Sequence, residues 1–192
     1  MPRIVVLISG NGSNLQALMD AEQRGELAGG QIVAVISNRV DAYGLQRARN
    51  AGIAAEHLSH KDFPEREAFD AALMARIDAY QPDLIVLAGF MRILTPGFVQ
   101  HYAGKMLNIH PSLLPKYPGM HTHARALEAG DTEHGATVHL VTEGVDEGPI
   151  ILQARVPVLA NDTAETLQQR VHQIEHQLYP RAVRMICEQH TA

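Results

Sequence analysis

Arg3-Ile4-Val5-Val6-Leu7-Ile8-Ser9-Gly10-Asn11-Gly12-Ser13-Asn14 is apolar without a break from Ile4 to Ile8, turns polar at Ser9, and then carries two glycines in three residues. A short continuous apolar run closed by turn residues reads as a strand buried on both faces. The next segment, Asn14–Arg24, places Leu15 and Leu18-Met19 on one side, the spacing of a helix that packs on that strand. Strand, glycine turn and helix together open a βαβ unit.

The same alternation continues along the chain. Gly29-Gly30 breaks the pattern, Gln31–Ser37 reads as a second strand, and Tyr43–Ala51 reads as a helix ended by Gly52. A short strand is expected at Ala54–Leu58, a helix at Glu65–Tyr80 that stops before Pro82, and another buried strand at Asp83–Ala88. Strands alternating with helices predict an α/β fold, with a Rossmann-like, mostly parallel sheet and helices on both faces. Such sheets bind ligands at the carboxyl ends of their strands. The loops after Ser9, Ser37, Ala88 and His110 therefore matter most.

The second half changes character. Pro96–Tyr102 reads as a short helix, and Lys105–His110 as a strand running into a Pro-rich loop, Pro111–Gly119. A helix follows near Ala124–Ala129. Ala136–Thr142 alternates as a half-exposed strand, and Pro149–Val158 continues it as antiparallel additions to the sheet. Thr163–Glu188 reads as a long terminal helix, with Pro180 as a point for a bend. The 192 residues suit one domain with one core. Residues 1–100 are its βαβ, phosphate-binding half, and residues 101–192 carry the second set of motifs.

The net charge of −5 argues against a nucleic-acid partner held by phosphate neutralisation. The five apolar residues Ile4–Ile8 are too few for a signal h-region or a membrane span, and nothing later approaches spanning length. The single cysteine, Cys187, has no intrachain partner for a disulfide. The expectation is a cytoplasmic chain that handles small molecules, away from membranes and nucleic acids, as a monomer or homodimer. Six of the eleven histidines fall between His101 and His139. Imidazole titrates near neutral pH, so the cluster suggests proton transfer, although each histidine taken singly reads as a surface or hydrogen-bonding residue.

The glycine turn Ser9–Asn14 brings small residues to a helix N-terminus, where backbone N–H groups receive an anion such as phosphate. The plain alternative is a tight turn with Ser13 capping the helix. A dinucleotide fingerprint would place a third glycine where Leu15 stands, and would end the second strand on an acid where Ser37-Asn38-Arg39 stands. NAD is disfavoured, while Arg39 leaves NADP open.

Asn108 and His110, two apart on a predicted strand, share one face. His110 abuts Pro111, at the end where a parallel sheet places chemistry. Asp146 lies in the turn-forming stretch Val145-Asp146-Glu147-Gly148-Pro149. An amide can donate to a developing oxyanion, and a carboxylate can orient or stabilise an imidazolium. On spacing alone Asp146 reads equally as a turn residue, and His123 or His139 suits the role as well as His110. No metal-ligand spacing forms around His121-x-His123. Ser112 lacks the surrounding glycines of a nucleophile elbow.

The stretch Leu107-Asn108-Ile109-His110-Pro111-Ser112-Leu113-Leu114-Pro115-Lys116-Tyr117-Pro118-Gly119 closely resembles the signature of folate-dependent formyltransferases. Four further segments agree in order: Ile8–Leu15, Leu87–Leu94, Val145–Ile150, and Glu175-His176 with Tyr179-Pro180. The His-Pro-Ser and Tyr-Pro-Gly variants resemble the branch that formylates phosphoribosylglycinamide in purine biosynthesis. The resemblance implies 10-formyltetrahydrofolate as co-substrate and 5-phosphoribosylglycinamide as acceptor, with no metal. It implies Asn108, His110 and Asp146 as the catalytic set, acting on a tetrahedral intermediate. It implies Gly12, Ser13 and Asn14 for the acceptor phosphate and Glu175 for its ribose. For the folate it implies Arg66, Met91, Arg92, Ile93 and Leu94, with Asn108 and the loop Thr142, Glu143, Gly144, Val145 and Asp146. The apolar side chains of that set suit a pterin ring, whereas Phe90 reads as core.

Three rivals remain. A formyltransferase acting on methionyl-tRNA would need an added RNA-binding domain and a basic surface. A formyltetrahydrofolate hydrolase would use the same triad with water, and commonly carries an N-terminal regulatory domain; here the glycine turn begins at about the tenth residue. A non-catalytic phosphometabolite-binding protein on a Rossmann-like scaffold would bind without turnover.

Overall fold

A computed structural model describes residues 1–191. One seven-stranded sheet runs through the molecule in the order β3-β2-β1-β4-β5-β6-β7. The strands are β1 (Arg3–Ile8), β2 (Gln31–Ser37), β3 (Ala54–His57), β4 (Leu84–Leu87), β5 (Met106–His110), β6 (Glu133–Leu140) and β7 (Ile150–Pro157). The first five are mutually parallel, and β6 and β7 add on antiparallel. The helices are α1 (Ser13–Gln23), α2 (Tyr43–Asn50), α3 (Arg66–Asp78), α4 (Pro96–His101), α5 (Thr122–Glu128) and α6 (Ala164–Thr191).

The continuous apolar run of β1 serves two cores. Ile4, Val6 and Ile8 pack with buried residues of α1, α2 and α6 on one face of the sheet. Val5 and Leu7 pack on the other face with Phe69, Leu73 and Ile77 of α3 and Phe98 and Val99 of α4. The side-chain period of two divides the strand between them. Helices thus cover both faces, as alternating elements require.

The chain starts in the middle of the sheet, moves outward through β2 and β3, and returns across β1 to β4. The carboxyl ends of β1 and β4 therefore diverge into opposite layers and leave a crevice between them. Gly10–Asn14 leaves one side of it and Ala88–Met91 the other.

Three local expectations need correction. Ser13 does not cap α1: Gly12 holds that position in the left-handed conformation, at φ 79°, and no side chain caps the helix. The Gly12 carbonyl instead accepts the Gln16 N–H at 2.8 Å. The strand expected at Ala136–Thr142 is β6, beginning at Glu133, because its first residues pair with β7 from Glu133 opposite Pro157 onward. Helix α5 starts at Thr122, whose hydroxyl donates to the Pro111 carbonyl at 2.6 Å. Pro180 stands inside α6, which continues on either side of it. Beside it the fully buried Tyr179 hydroxyl donates to the Leu87 carbonyl at 2.6 Å and lies 3.2 Å from the Leu107 carbonyl, fixing the helix across β4 and β5.

Candidate active site

A cleft of about 680 Å³ opens at the carboxyl ends of β1, β4 and β5. Its walls are the glycine turn Gly10–Asn14, Ala88–Met91, Asn108–Pro111, the start of α5, and Gln168, His172 and Glu175 of α6.

Antiparallel register builds one of its walls. Asn108 on β5 stands opposite His139 on β6, and His110 stands opposite Thr137. Residues directly opposite each other share a face, so the two histidines and Asn108 project to the same side. His110 is 6% exposed. Its Nε2 lies 2.8 Å from the Tyr117 carbonyl, which can only accept, so that nitrogen carries a proton. Its Nδ1 lies 3.3 Å from Asp146 Oδ2. Both ring nitrogens thus face acceptors, an arrangement that the imidazolium satisfies.

Asp146 comes from the loop between β6 and β7 and has a left-handed backbone, φ 52°. Few residues other than glycine adopt this conformation, and aspartate is among those that do. Its Oδ2 also accepts the Gly119 N–H at 2.9 Å, tying the Pro111–Gly119 loop to this carboxylate. Its Oδ1 is 3.6 Å from His139 Nε2, an ion-pair distance too long for a hydrogen bond. His139 Nδ1 meets the Leu140 carbonyl at 3.0 Å, and its Nε2 is buried with no hydrogen-bond partner. Burial pushes the Asp146 carboxyl up, but His139, the Gly119 N–H and His110 together outweigh it and hold the group below its ordinary value.

Across the cleft, Asn14 Nδ2 donates to Glu175 Oε1 at 3.2 Å, while Asn14 Oδ1 is buried without a partner. Burial raises the Glu175 carboxyl; Asn14 and His172 offset this only in part. A buried carboxyl beside an unsatisfied amide oxygen suits hydroxyl groups, which both donate and accept.

Residues 2–183 match the family described as formyl transferase.

The chain belongs to the formyl transferase family.

It is 60% identical over 177 residues to the phosphoribosylglycinamide formyltransferase of Escherichia coli K12, covering 92% of this chain and 83% of that one. It is 54% identical to the trifunctional purine biosynthetic protein adenosine-3 of Drosophila melanogaster, across 96% of this chain but only 14% of that much longer protein. Among solved structures, the phosphoribosylglycinamide formyltransferase of Coxiella burnetii superposes with a TM-score of 0.92 at 56% identity, covering 97% of this chain and 87% of that one. Glycinamide ribonucleotide transformylase 1 of Symbiobacterium toebii superposes at 0.94 with 52% identity, covering 98% and 88%.

This formyl transferase gathers half of the expected site residues at the cleft. Gly12, Ser13, Asn14, Met91, Asn108, His110 and Glu175 line the cleft, and Asp146 reaches it through His110 and Gly119. Met91, Ile93 and Val145 expose large apolar side chains, at 75%, 71% and 67%. Leu94 and Phe90 pack on the α3–α4 core, although Phe90 also borders the cleft. Arg92 lies over the Phe69 ring at 5.0 Å and, with Met91, lines a neighbouring hollow beside Asn38 and His60. Thr142, Glu143 and Gly144 form the loop after β6, where Glu143 accepts from Gln100 at 2.6 Å. Arg66 is exposed at the first residue of α3 and does not line the cleft.

Sequence reasoning raised His139 only as an alternative to His110; the structure puts both on Asp146. It missed Ser9, whose buried hydroxyl accepts the Met91 N–H at 2.8 Å and donates to Asn38 at 2.6 Å. The available signal was a lone polar residue closing an apolar strand. Among the described residues, no group of three His, Cys, Asp or Glu side chains is arranged to hold a metal ion, and no helix is long and apolar enough to cross a membrane.

Proposed function

We propose that this chain transfers the formyl group of 10-formyltetrahydrofolate to the amine of 5-phosphoribosylglycinamide, a step of de novo purine biosynthesis, in the cytoplasm and without a metal. The observation that carries the reading is His110, set between Asp146 and the Tyr117 carbonyl beside Asn108, in a cleft that also opens onto the glycine turn. The names of the relatives support the same reaction.

In this reading residues 1–100 supply the phosphate turn and residues 101–192 the catalytic wall of one domain. Gly12, Ser13 and Asn14 receive the acceptor phosphate and Glu175 its ribose. Met91, Arg92, Ile93 and Leu94 with the Thr142–Asp146 loop receive the folate, whose flat apolar ring suits the exposed side chains of Met91, Ile93 and Val145. As the acceptor amine adds to the formyl carbon, the Asn108 amide donates to the oxygen that gains charge, and the positive charge of the His110 imidazolium beside it stabilises that oxygen. Asp146 holds the imidazolium by charge pairing and relays the proton that the amine releases to the folate nitrogen, which takes it as its bond to the formyl carbon breaks. Placing both substrates in one cleft supplies much of the rate.

The test is an assay of the purified protein with 10-formyltetrahydrofolate and a choice of acceptors, with and without a chelator. Formyl transfer to phosphoribosylglycinamide, undiminished by the chelator, is expected. Release of free formate without transfer would instead identify a hydrolase, and binding without turnover a sensor.

A further inference from the structure

The glycine turn is held from behind by α2. Arg47 Nε donates to the Asn11 carbonyl at 2.8 Å, and Nη2 donates to the Asn11 side-chain oxygen at 2.7 Å. Nη1 reaches Gln16 Oε1 of α1 at 3.3 Å, and the guanidinium lies 4.8 Å from the centre of the Tyr43 ring. The Gly44 N–H donates to the Gly10 carbonyl at 3.1 Å. The backbones also touch: a Cβ on Gly12 would sit 2.7 Å from Gly44 Cα.

These contacts fix the direction of two peptide units. In a trans peptide the carbonyl and the following N–H point to opposite sides. The Gly10 carbonyl faces α2, so the Asn11 N–H points away from it. The Asn11 carbonyl faces Arg47, so the Gly12 N–H also points away. Among the described residues neither N–H has a protein acceptor, and Asn11 and Gly12 both line the cleft. Two successive free N–H groups ahead of a helix N-terminus form an anion cradle.

We propose that Arg47 is a positioning residue for the acceptor's phosphate, locking Asn11 and Gly12 with their N–H groups turned into the cleft. This rests on the reading of the turn as the phosphate site. The fork geometry matters beyond the charge: two donors in one plane hold the carbonyl and the side chain of the same residue, which a lysine ammonium does not reproduce.

The test compares phosphoribosylglycinamide with its unphosphorylated riboside as acceptors for the parent, Arg47→Ala and Arg47→Lys enzymes, with thermal melts to establish folding. In the parent the phosphate lowers KM strongly. In Arg47→Ala that advantage shrinks about tenfold or more, the loss expected for two hydrogen bonds from a charged donor. Turnover at saturation, KM for the folate and KM for the riboside stay close to the parent's. Arg47→Lys, which keeps the charge, recovers only a minor part of the advantage and serves alone if Arg47→Ala fails to fold. An unchanged phosphate advantage in Arg47→Ala, or full recovery in Arg47→Lys, overturns the clamp. A parent enzyme that does not distinguish the two acceptors overturns the phosphate reading itself, and the clamp with it.

Discussion

Asp146 meets three groups with two oxygens: His110 and Gly119 through one, His139 through the other. A carboxylate so placed can hold charge on His110 only while the left-handed turn at Asp146 keeps it there. We expect His110→Ala and Asp146→Ala each to lower turnover by roughly 10²–10⁴, the range of a positioned proton-transfer group. Asn108→Ala removes an oxyanion donor, worth about 10²–10³. Equilibrium binding of both substrates should change far less, because these groups act on charge that develops during reaction. The His110 and Asp146 losses should be strongly non-additive, since the carboxylate works through the imidazole. Single-turnover kinetics of the double variant decides: simple multiplication of the two defects would detach Asp146 from His110. Asn108 and His110 were legible because a strand's period places them together whatever surrounds it. His139 was not, because its place depends on pairing register between β5 and β6, which no local pattern states. His123 carries a different expectation. Burial, then His134, His172 and His110, pull it down to about 4. Below its ordinary value the unfolded chain takes up a proton that the folded one refuses, so stability falls as pH drops from about 6.5 towards 4. Above that range His123 contributes no slope. The urea midpoint should therefore drop between about pH 7 and pH 5 by more in the parent than in His123→Asn, and equal drops would show that His123 charges freely in the fold.

Ser9 closes β1 and ties two loops that serve different substrates in the proposed reaction. Its hydroxyl accepts from Met91 and donates to Asn38, so the folate segment after β4 hangs from the strand that leads into the glycine turn. Ser9→Ala leaves the buried Asn38 oxygen and the part-buried Met91 N–H without that partner, a penalty of about 1–3 kcal/mol. A lower melting temperature is expected, with a several-fold rise in KM for the folate and little change in KM for the acceptor. Equal rises for both substrates would show that the hydroxyl supports the crevice as a whole. At this scale the sequence was most readable where burial dominates. Strand β2 has the expected bounds Gln31–Ser37, and the helix expected from Tyr43 begins there. Readings slipped where one hydrogen bond decides. Ser13 is a good capping residue, yet the left-handed turn at Gly12 takes its place. Strand β6 starts early because β7 is there to pair with it.

Alternation alone announced a sheet covered on both faces, but not the order of its strands. Neighbours are chosen by how helices fill the two layers, which a linear pattern does not encode. The crevice between β1 and β4 follows from that order, and so does the arrival of Glu175 at Asn14 from 161 residues further along the chain. Long-range meetings of this kind became readable only through the family resemblance. A similar meeting occurs at the opposite end of the central strands, where β1 and β4 begin. Asp83 Oδ2 accepts the Arg3 N–H at 2.8 Å, and Oδ1 lies 3.5 Å from His190 Nε2. Both ends of the described chain therefore gather at one carboxylate, at the amino ends of the central strands and away from the cleft. The covalent order of the chain is then separable from its architecture. A circular permutant that joins the present ends by a short flexible linker and opens between Ala103 and Gly104, exposed before β5, should fold and keep turnover within a few-fold of the parent. Circular dichroism and steady-state rates test it, and a permutant that folds but has lost activity would reveal that the ends restrain the distant cleft.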